Sequence, residues 1–276
     1  MFPPCAPRAT VRTFGLLALS LAGLLQLAGC AAPGSRLDSD ATAGLVLPSE
    51  ESEARRRARV RLELASRYFD QGQTTVALEE VRLALATDPG FAEAYNLRGL
   101  IYMRLNDLQL AEENFRQALR LSPREPGSAH NYGWLLCQLG RHDQASQQFA
   151  LALEHPTYVD KDKTWLAQGM CQYRAGQREQ AERSFMRSYE LDPANPITGY
   201  NLAQLLFERG DDERARFYVR RINNSEYANA ESLWLGIKVE RRLRNQQAVE
   251  QLSLQLRNRF PQSREYQALE RQAFNE

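Results

Sequence analysis

The chain has 276 residues, 43% hydrophobic and 25% charged, which is enough apolar material for a continuous stacked core and unlike the composition of a disordered polymer. Its 35 basic and 34 acidic residues leave a net charge of +1, so there is no basic excess of the kind that nucleic-acid binding demands. Three histidines and four cysteines without a clustered Cys/His spacing argue against a metal site, and no cofactor or small-molecule substrate is expected.

Residues 1–29 read as an export leader. Arg8 and Arg12 supply the positive end, Phe14 to Leu27 the apolar core, and small residues follow. That core is short for a permanent membrane span. It ends in Leu27-Ala28-Gly29-Cys30, which resembles the lipobox of bacterial lipoproteins. The resemblance implies that Cys30 is diacylated on sulfur and becomes the new N-terminus, and several acyl chains together give stable attachment. With Ala31 rather than Asp after Cys30, the likeness to Gram-negative lipoproteins implies the outer membrane. Without the leader the chain holds 33 basic and 34 acidic residues.

Residues 30–53 form the expected lipidated tether, rich in Pro, Gly, Ser, Asp and Thr and almost free of aromatics. Ser49, Glu50 and Glu51 after Pro48 mark an expected helix start, with acids placed in the positive first turn. The basic run Arg55, Arg56, Arg57, Arg59 and Arg61 follows. It reads as a solvated helix face paired with Glu51 and Glu53, in preference to a contact with anionic head groups.

Residues 54–276 are organised by repetition. Asp88-Pro89-Gly90-Phe91-Ala92-Glu93-Ala94-Tyr95-Asn96-Leu97-Arg98-Gly99 runs on through Tyr102, Asn106, Ala111, Phe115, Ala118 and Pro123. That succession has the spacing of a tetratricopeptide repeat (TPR), a two-helix unit of about 34 residues. It recurs: Pro89 to Pro123 is 34 residues, Pro123 to Pro156 is 33 and Pro156 to Pro193 is 37, the longest step reflecting an extended connection at Glu154 to Lys161. Gly99, Gly133, Gly169 and Ala203 are expected to let each first helix approach a second helix presenting Ala111, Ala145, Ala181 and Ala215. Gly72, Gly140, Gly176 and Gly210 are expected where first helices end. A fifth unit lacks its closing Pro and has Tyr227 near that place, and a degenerate sixth carries Trp234, Gly236, Ala248, Leu252 and Pro261. The predicted fold is all-α, a TPR α-solenoid superhelix of about six helix-turn-helix repeats.

By resemblance to TPR arrays the first helices line a concave groove. The matching positions are Leu62, Phe69, Asn96, Leu100, Met103, His130, Trp134, Leu166, Met170, Tyr173, Tyr200 and Phe207. Such a lining either captures an apolar segment of another protein or fills the inside of a tight superhelix. Asn96, Asn131 and Asn201 either hold a bound backbone or belong to the repeat consensus. Cys137 and Cys171 lie on successive first helices, and their different facings favour two free, packed thiols over a disulfide. No Ser, Cys or Asp arrangement surrounds His130 or His142, so no catalytic site is read.

The C-terminal stretches Ser232-Leu233-Trp234-Leu235-Gly236-Ile237-Lys238-Val239-Glu240 and Gln255-Leu256-Arg257-Asn258-Arg259-Phe260-Pro261-Gln262-Ser263-Arg264-Glu265-Tyr266, with the six-unit layout and short tether, resemble the PilF/PilW type IV pilus biogenesis and stability lipoproteins. The resemblance implies a pilotin: an outer-membrane lipoprotein on the periplasmic face that binds the secretin subunit of the pilus and promotes its localisation and multimerisation. The alternative is an envelope adaptor that docks peptidoglycan enzymes, as other TPR lipoproteins do.

Overall fold

A computed structural model describes residues 51–274, so the leader, Cys30 and all but the end of the tether lie outside the described residues. Thirteen helices and no strand occur among the described residues. They form six pairs: α1 (Glu53–Asp70) with α2 (Thr74–Thr87), α3 (Ala92–Arg104) with α4 (Leu108–Leu121), α5 (Pro126–Gln138) with α6 (His142–Glu154), α7 (Lys161–Arg174) with α8 (Arg178–Leu191), α9 (Pro196–Arg209) with α10 (Asp212–Asn223), and α11 (Ala230–Arg242) with α12 (Gln246–Arg259). A short α13 (Arg264–Glu270) packs on α11 and α12.

The first helix begins a few residues later than Ser49 suggests. Ser52 is its cap, accepting from the Arg55 amide at 3.1 Å, with Glu53 in the first turn. The five arginines that follow are all paired. Arg56 and Arg57 reach Glu53, Arg59 reaches Glu51, Arg61 reaches Glu80, and Arg55 bridges to Asp88 and the Gly90 carbonyl. Asp88 accordingly titrates below the usual carboxylate range, chiefly through its hydrogen bond from Arg55.

The four loop glycines adopt φ between 72° and 89°, the left-handed conformation that closes a helix and that a side chain resists. Asn106 and Arg244 take the same turn in the second and sixth repeats, with φ of 60° and 58°.

Within each pair the small residues do allow close approach, but their partners are aromatic rings more than alanines. A Cβ on Gly99 would lie 2.7 Å from Phe115, one on Gly133 2.8 Å from Phe149, and one on Gly169 2.5 Å from Phe185. Ala145 enters only through its carbonyl, 3.2 Å from that position at Gly133. The rule extends to the remaining repeats by size exchange: where the first helix has Ala65 or Ala203, the second has Val81 or Val219. Phe115, Phe149 and Phe185 are wholly buried, and each such ring contributes about 2–3 kcal/mol of burial.

Successive first helices touch one another, α1 with α3, α3 with α5, α5 with α7, and α9 with α11; no two successive second helices make comparable contact among the described residues. First helices therefore share one side of the stack, with α7 joined to α9 through the side chains of Leu166, Met170 and Tyr173. At the C-terminal end Trp234 stacks on Phe274 with centroids 5.3 Å apart, and Ala268 and Leu269 close the last apolar cluster.

Candidate functional site

All twelve side chains expected in the groove are half-buried, neither sealed in the core nor fully in water. Leu62 and Phe69 pack against the first apolar cluster; Leu100, Met103 and Trp134 against the next; Leu166, Met170, Tyr173, Tyr200 and Phe207 against the one around α9. Between α1 and α3 this side opens into a depression of about 380 Å³ whose lining includes Leu62, Ser66, Asn96 and Leu100.

The surface is less greasy than the list of residues suggests, because arginines roof its rings. Arg104 lies 3.6 Å over Phe69 and donates to its carbonyl, Arg174 5.0 Å over Trp134, Arg178 3.8 Å over Tyr173, and Arg242 4.1 Å over Phe207. Arg178 and Arg242 are also paired with Glu208 and Asp212, whereas Arg104 and Arg174 make no ion pair among the described residues, so the cations over Phe69 and Trp134 are placed to meet a carboxylate of a bound segment. The Tyr173 hydroxyl donates to Glu208, and burial followed by that bond raises its pKa. Burial pushes Tyr200 up to about 12, so it stays a neutral donor throughout the physiological range.

Two of the expected polar positions are engaged inside the protein. His130 Nδ1 is 2.8 Å from Thr164 Oγ1, which also meets the Tyr158 hydroxyl at 3.1 Å, and the imidazole stands edge-on to Phe149. Burial lowers the His130 pKa. Tyr158 comes from the extended connection before α7, so that insertion supplies one corner of the network. Asn131 donates to the Asn96 side chain at 3.0 Å and ties α5 to α3, whereas Asn201 donates back to the Ile197 carbonyl. Arg98, which departs from the repeat pattern, reaches the buried Asn114 at 2.5 Å.

The expectation of free thiols fails. Cys137 and Cys171 form a disulfide with Cα atoms 5.7 Å apart, joining α5 to α7 across 34 residues. Cys137 and Cys171 both lie in the last turn of their helices, and α5 packs directly on α7, so the two sulfurs meet across that contact. His142 Nδ1 lies 3.4 Å from Cys171 Sγ, so three ligand-type atoms converge within 4.8 Å although no sequence spacing announces it. With both sulfurs in the disulfide there is no thiolate to hold a metal.

Stacked antiparallel helix pairs with first helices along one side define a TPR array, a protein-interaction fold. The tetratricopeptide repeat family matches residues 62–126, 102–159 and 166–228, more than half of the chain, and the chain belongs to it. Its crystallised relatives include PilW, described as a widely conserved type IV pilus biogenesis factor: 32% identical, TM-score 0.71, covering 77% of this chain and 98% of that one. The structure of Pseudomonas aeruginosa PilF superposes with TM-score 0.72 at 27% identity, covering 80% of this chain and all of PilF. The type IV pilus assembly protein PilF of P. aeruginosa aligns over 206 residues at 27% identity, 75% of this chain and 82% of the relative. The chain is a member of the PilF/PilW family of type IV pilus biogenesis TPR proteins.

Proposed function

We propose that this protein is a pilotin for the type IV pilus: it binds the secretin subunit and, moored at the periplasmic face of the outer membrane by acyl chains on Cys30, promotes that subunit's localisation and multimerisation. The observation that carries the reading is the row of half-buried apolar side chains along the first helices in a member of this pilus family. A row of that kind suits an amphipathic segment of a client, whose apolar side displaces water while the ring-stacked arginines meet its acids. Tethering raises the client's local concentration at the membrane, which favours its oligomerisation without chemistry.

Contact is assigned to the first three repeats, to Leu62, Phe69, Leu100, Met103 and Trp134. In a strain carrying Leu100→Glu and Trp134→Glu, secretin multimers on denaturing gels should fall while far-ultraviolet dichroism of the purified variant stays that of the parent. Normal multimers with a folded variant would place the contact elsewhere. Pull-down from solubilised envelopes separates this from the adaptor alternative: recovery of peptidoglycan enzymes and no secretin would replace the pilotin reading. Cys30→Ser should release the chain from the membrane fraction, and retention there would refute the acyl anchor.

A further inference from the structure

The outer side of the fifth repeat carries a surface that the groove does not use. Helix α10 buries Ala215, Val219 and Ile222 and turns Phe217 outward, 55% exposed, among Arg216, Arg220 and Arg221. These residues line an open depression of about 670 Å³ that also holds Glu213 and Asn224. Through Arg221 it runs into a narrower cleft of about 210 Å³, walled by Tyr189, Tyr218, Tyr227, Pro193 and Pro196.

Two local features accompany the cleft. Gly199 lines it, four residues before Ala203, a register that carries Tyr95 and Trp165 in the second and fourth repeats and the small Ala129 and Ser232 in the third and sixth. The loop after α10 lacks the closing Pro and stands Tyr227 at the rim, 52% exposed, its backbone pinned through Ser225 to the Ile222 carbonyl. The rings are already set. Tyr189 and Tyr218 meet edge to face at 5.0 Å, Phe217 and Tyr218 at 5.1 Å, and the Tyr218 hydroxyl donates to Met186 Sδ at 3.2 Å.

The charge on this face is mostly positive. Arg221 makes no ion pair among the described residues and sits 5.8 Å over Tyr189. Arg220 donates through Nε to Glu240, which is 1% exposed and lies behind it, so its terminal nitrogens remain on a side chain that is 47% exposed. Glu213, bonded to Arg216, is the single acid in the lining.

We propose that this face is a second docking site, for an acidic, proline-bearing extended segment of a partner protein. Carboxylates of the segment meet Arg216, Arg220 and Arg221, and a proline ring enters among Tyr189, Tyr218 and Tyr227. Extended proline-bearing chains have no internal hydrogen bonds and little entropy to lose, and aromatic-lined clefts are the surfaces that take them. The recess favours a chain over a lipid surface, which would meet a protruding basic face.

The test uses the mature chain and a fluorescein-labelled synthetic peptide of alternating glutamate and proline, read by anisotropy at low salt. The peptide should bind, and added salt should weaken it. Replacing its glutamates by glutamine, or introducing Arg221→Glu into the protein, should weaken binding by about tenfold or more. Tyr227→Ala should cost about fivefold through lost ring contact. Arg221 and Tyr227 are exposed, so melting curves of both variants should match the parent. Trp134→Glu should leave this binding unchanged, which separates the site from the groove. Absent binding, equal binding by Arg221→Glu, or capture by phosphatidylglycerol vesicles that the same substitutions abolish in place of peptide binding would each overturn the proposal.

Discussion

At Gly169 a missing methyl group decides how far apart two helices stand. Phe185 occupies the space, 2.5 Å from where a Cβ would be, so Gly169→Ala must push a wholly buried ring. Overpacking of that kind costs about 1–3 kcal/mol, partly offset by about 0.5–1 kcal/mol of helix preference for Ala. The protein itself holds the compensated version in Ala203 and Val219. In urea denaturation, Gly169→Ala should therefore destabilise, and the double variant Gly169→Ala/Phe185→Val should be more stable than the sum of the singles by about 1 kcal/mol or more. Strict additivity would mean that the pair is not sized as a unit. This exchange is legible in sequence only once the offset of 16 residues between partners is known, since the repeat pattern alone pairs the small residues with Ala111, Ala145 and Ala181. His130 was equally hard to place, because its partners Thr164 and Tyr158 arrive from the next repeat and from the insertion before it. Its lowered pKa has a fixed sign. The unfolded chain, with an ordinary value of 6.5, binds the proton more readily than the folded protein. Stability from neutral His130 is thus fully present above that value and lost as pH falls through and below it, with Asp160 opposing the shift and Lys163 adding to it. The urea midpoint of the parent should drop more between about pH 7 and pH 5 than that of His130→Gln, and parallel pH profiles would remove His130 from the titration.

At the scale of helices, the element types and nearly all turns follow from periodicity, because each unit has to bury one stripe and reverse direction with a left-handed residue. What the sequence conceals is the relation between neighbouring first helices. That relation joins Cys137 to Cys171, sets Asn131 against Asn96, and lays Arg104, Arg174 and Arg242 over the rings of the preceding first helix. These contacts bridge about one repeat period, so no local window contains both partners. The disulfide is the strongest of these ties. Closing a loop of 34 residues in the unfolded chain stabilises the fold by about 3–4 kcal/mol on the chain-entropy account. The variant Cys137→Ser/Cys171→Ser should lose stability of that order in urea, and reduction of the parent should approach the same midpoint. Because the bridge sits in the third and fourth repeats, hydrogen exchange should accelerate first in α5 and α7. An equal acceleration in α1 and α11 would show that the tie acts on the whole stack and not on its own junction.

At the scale of the molecule, a solenoid is a row of units that contact only their neighbours, so its ends decide whether the last core meets water. The six-unit count was legible from the period, whereas α13 was not, since seven residues are too few to show a helical pattern. Its role follows from what it covers. Ala268 and Leu269 in α13, with Ala273 and Phe274 after it, pack on Trp234 and the cluster of Leu233, Ile237 and Leu256, and Arg241 lies 3.8 Å over the Phe274 ring. Ser263 caps the helix by accepting from the Tyr266 amide at 3.1 Å, so even this short piece is held by its own N-terminal bond. Ending the chain after Pro261 would expose one side of α11 and α12, whose apolar surface has no further repeat to rest on. The truncated protein should melt lower, bind more of a hydrophobic dye, and exchange amide hydrogens rapidly in α11 and α12. Protection in α3 to α6 should stay close to that of the full chain, because stability in such a row is passed on only between neighbours. Unchanged exchange in α11 and α12 after truncation would mean that α13 is an appendage and the sixth pair closes the stack alone; loss of protection throughout would mean that the repeats fold as one cooperative block.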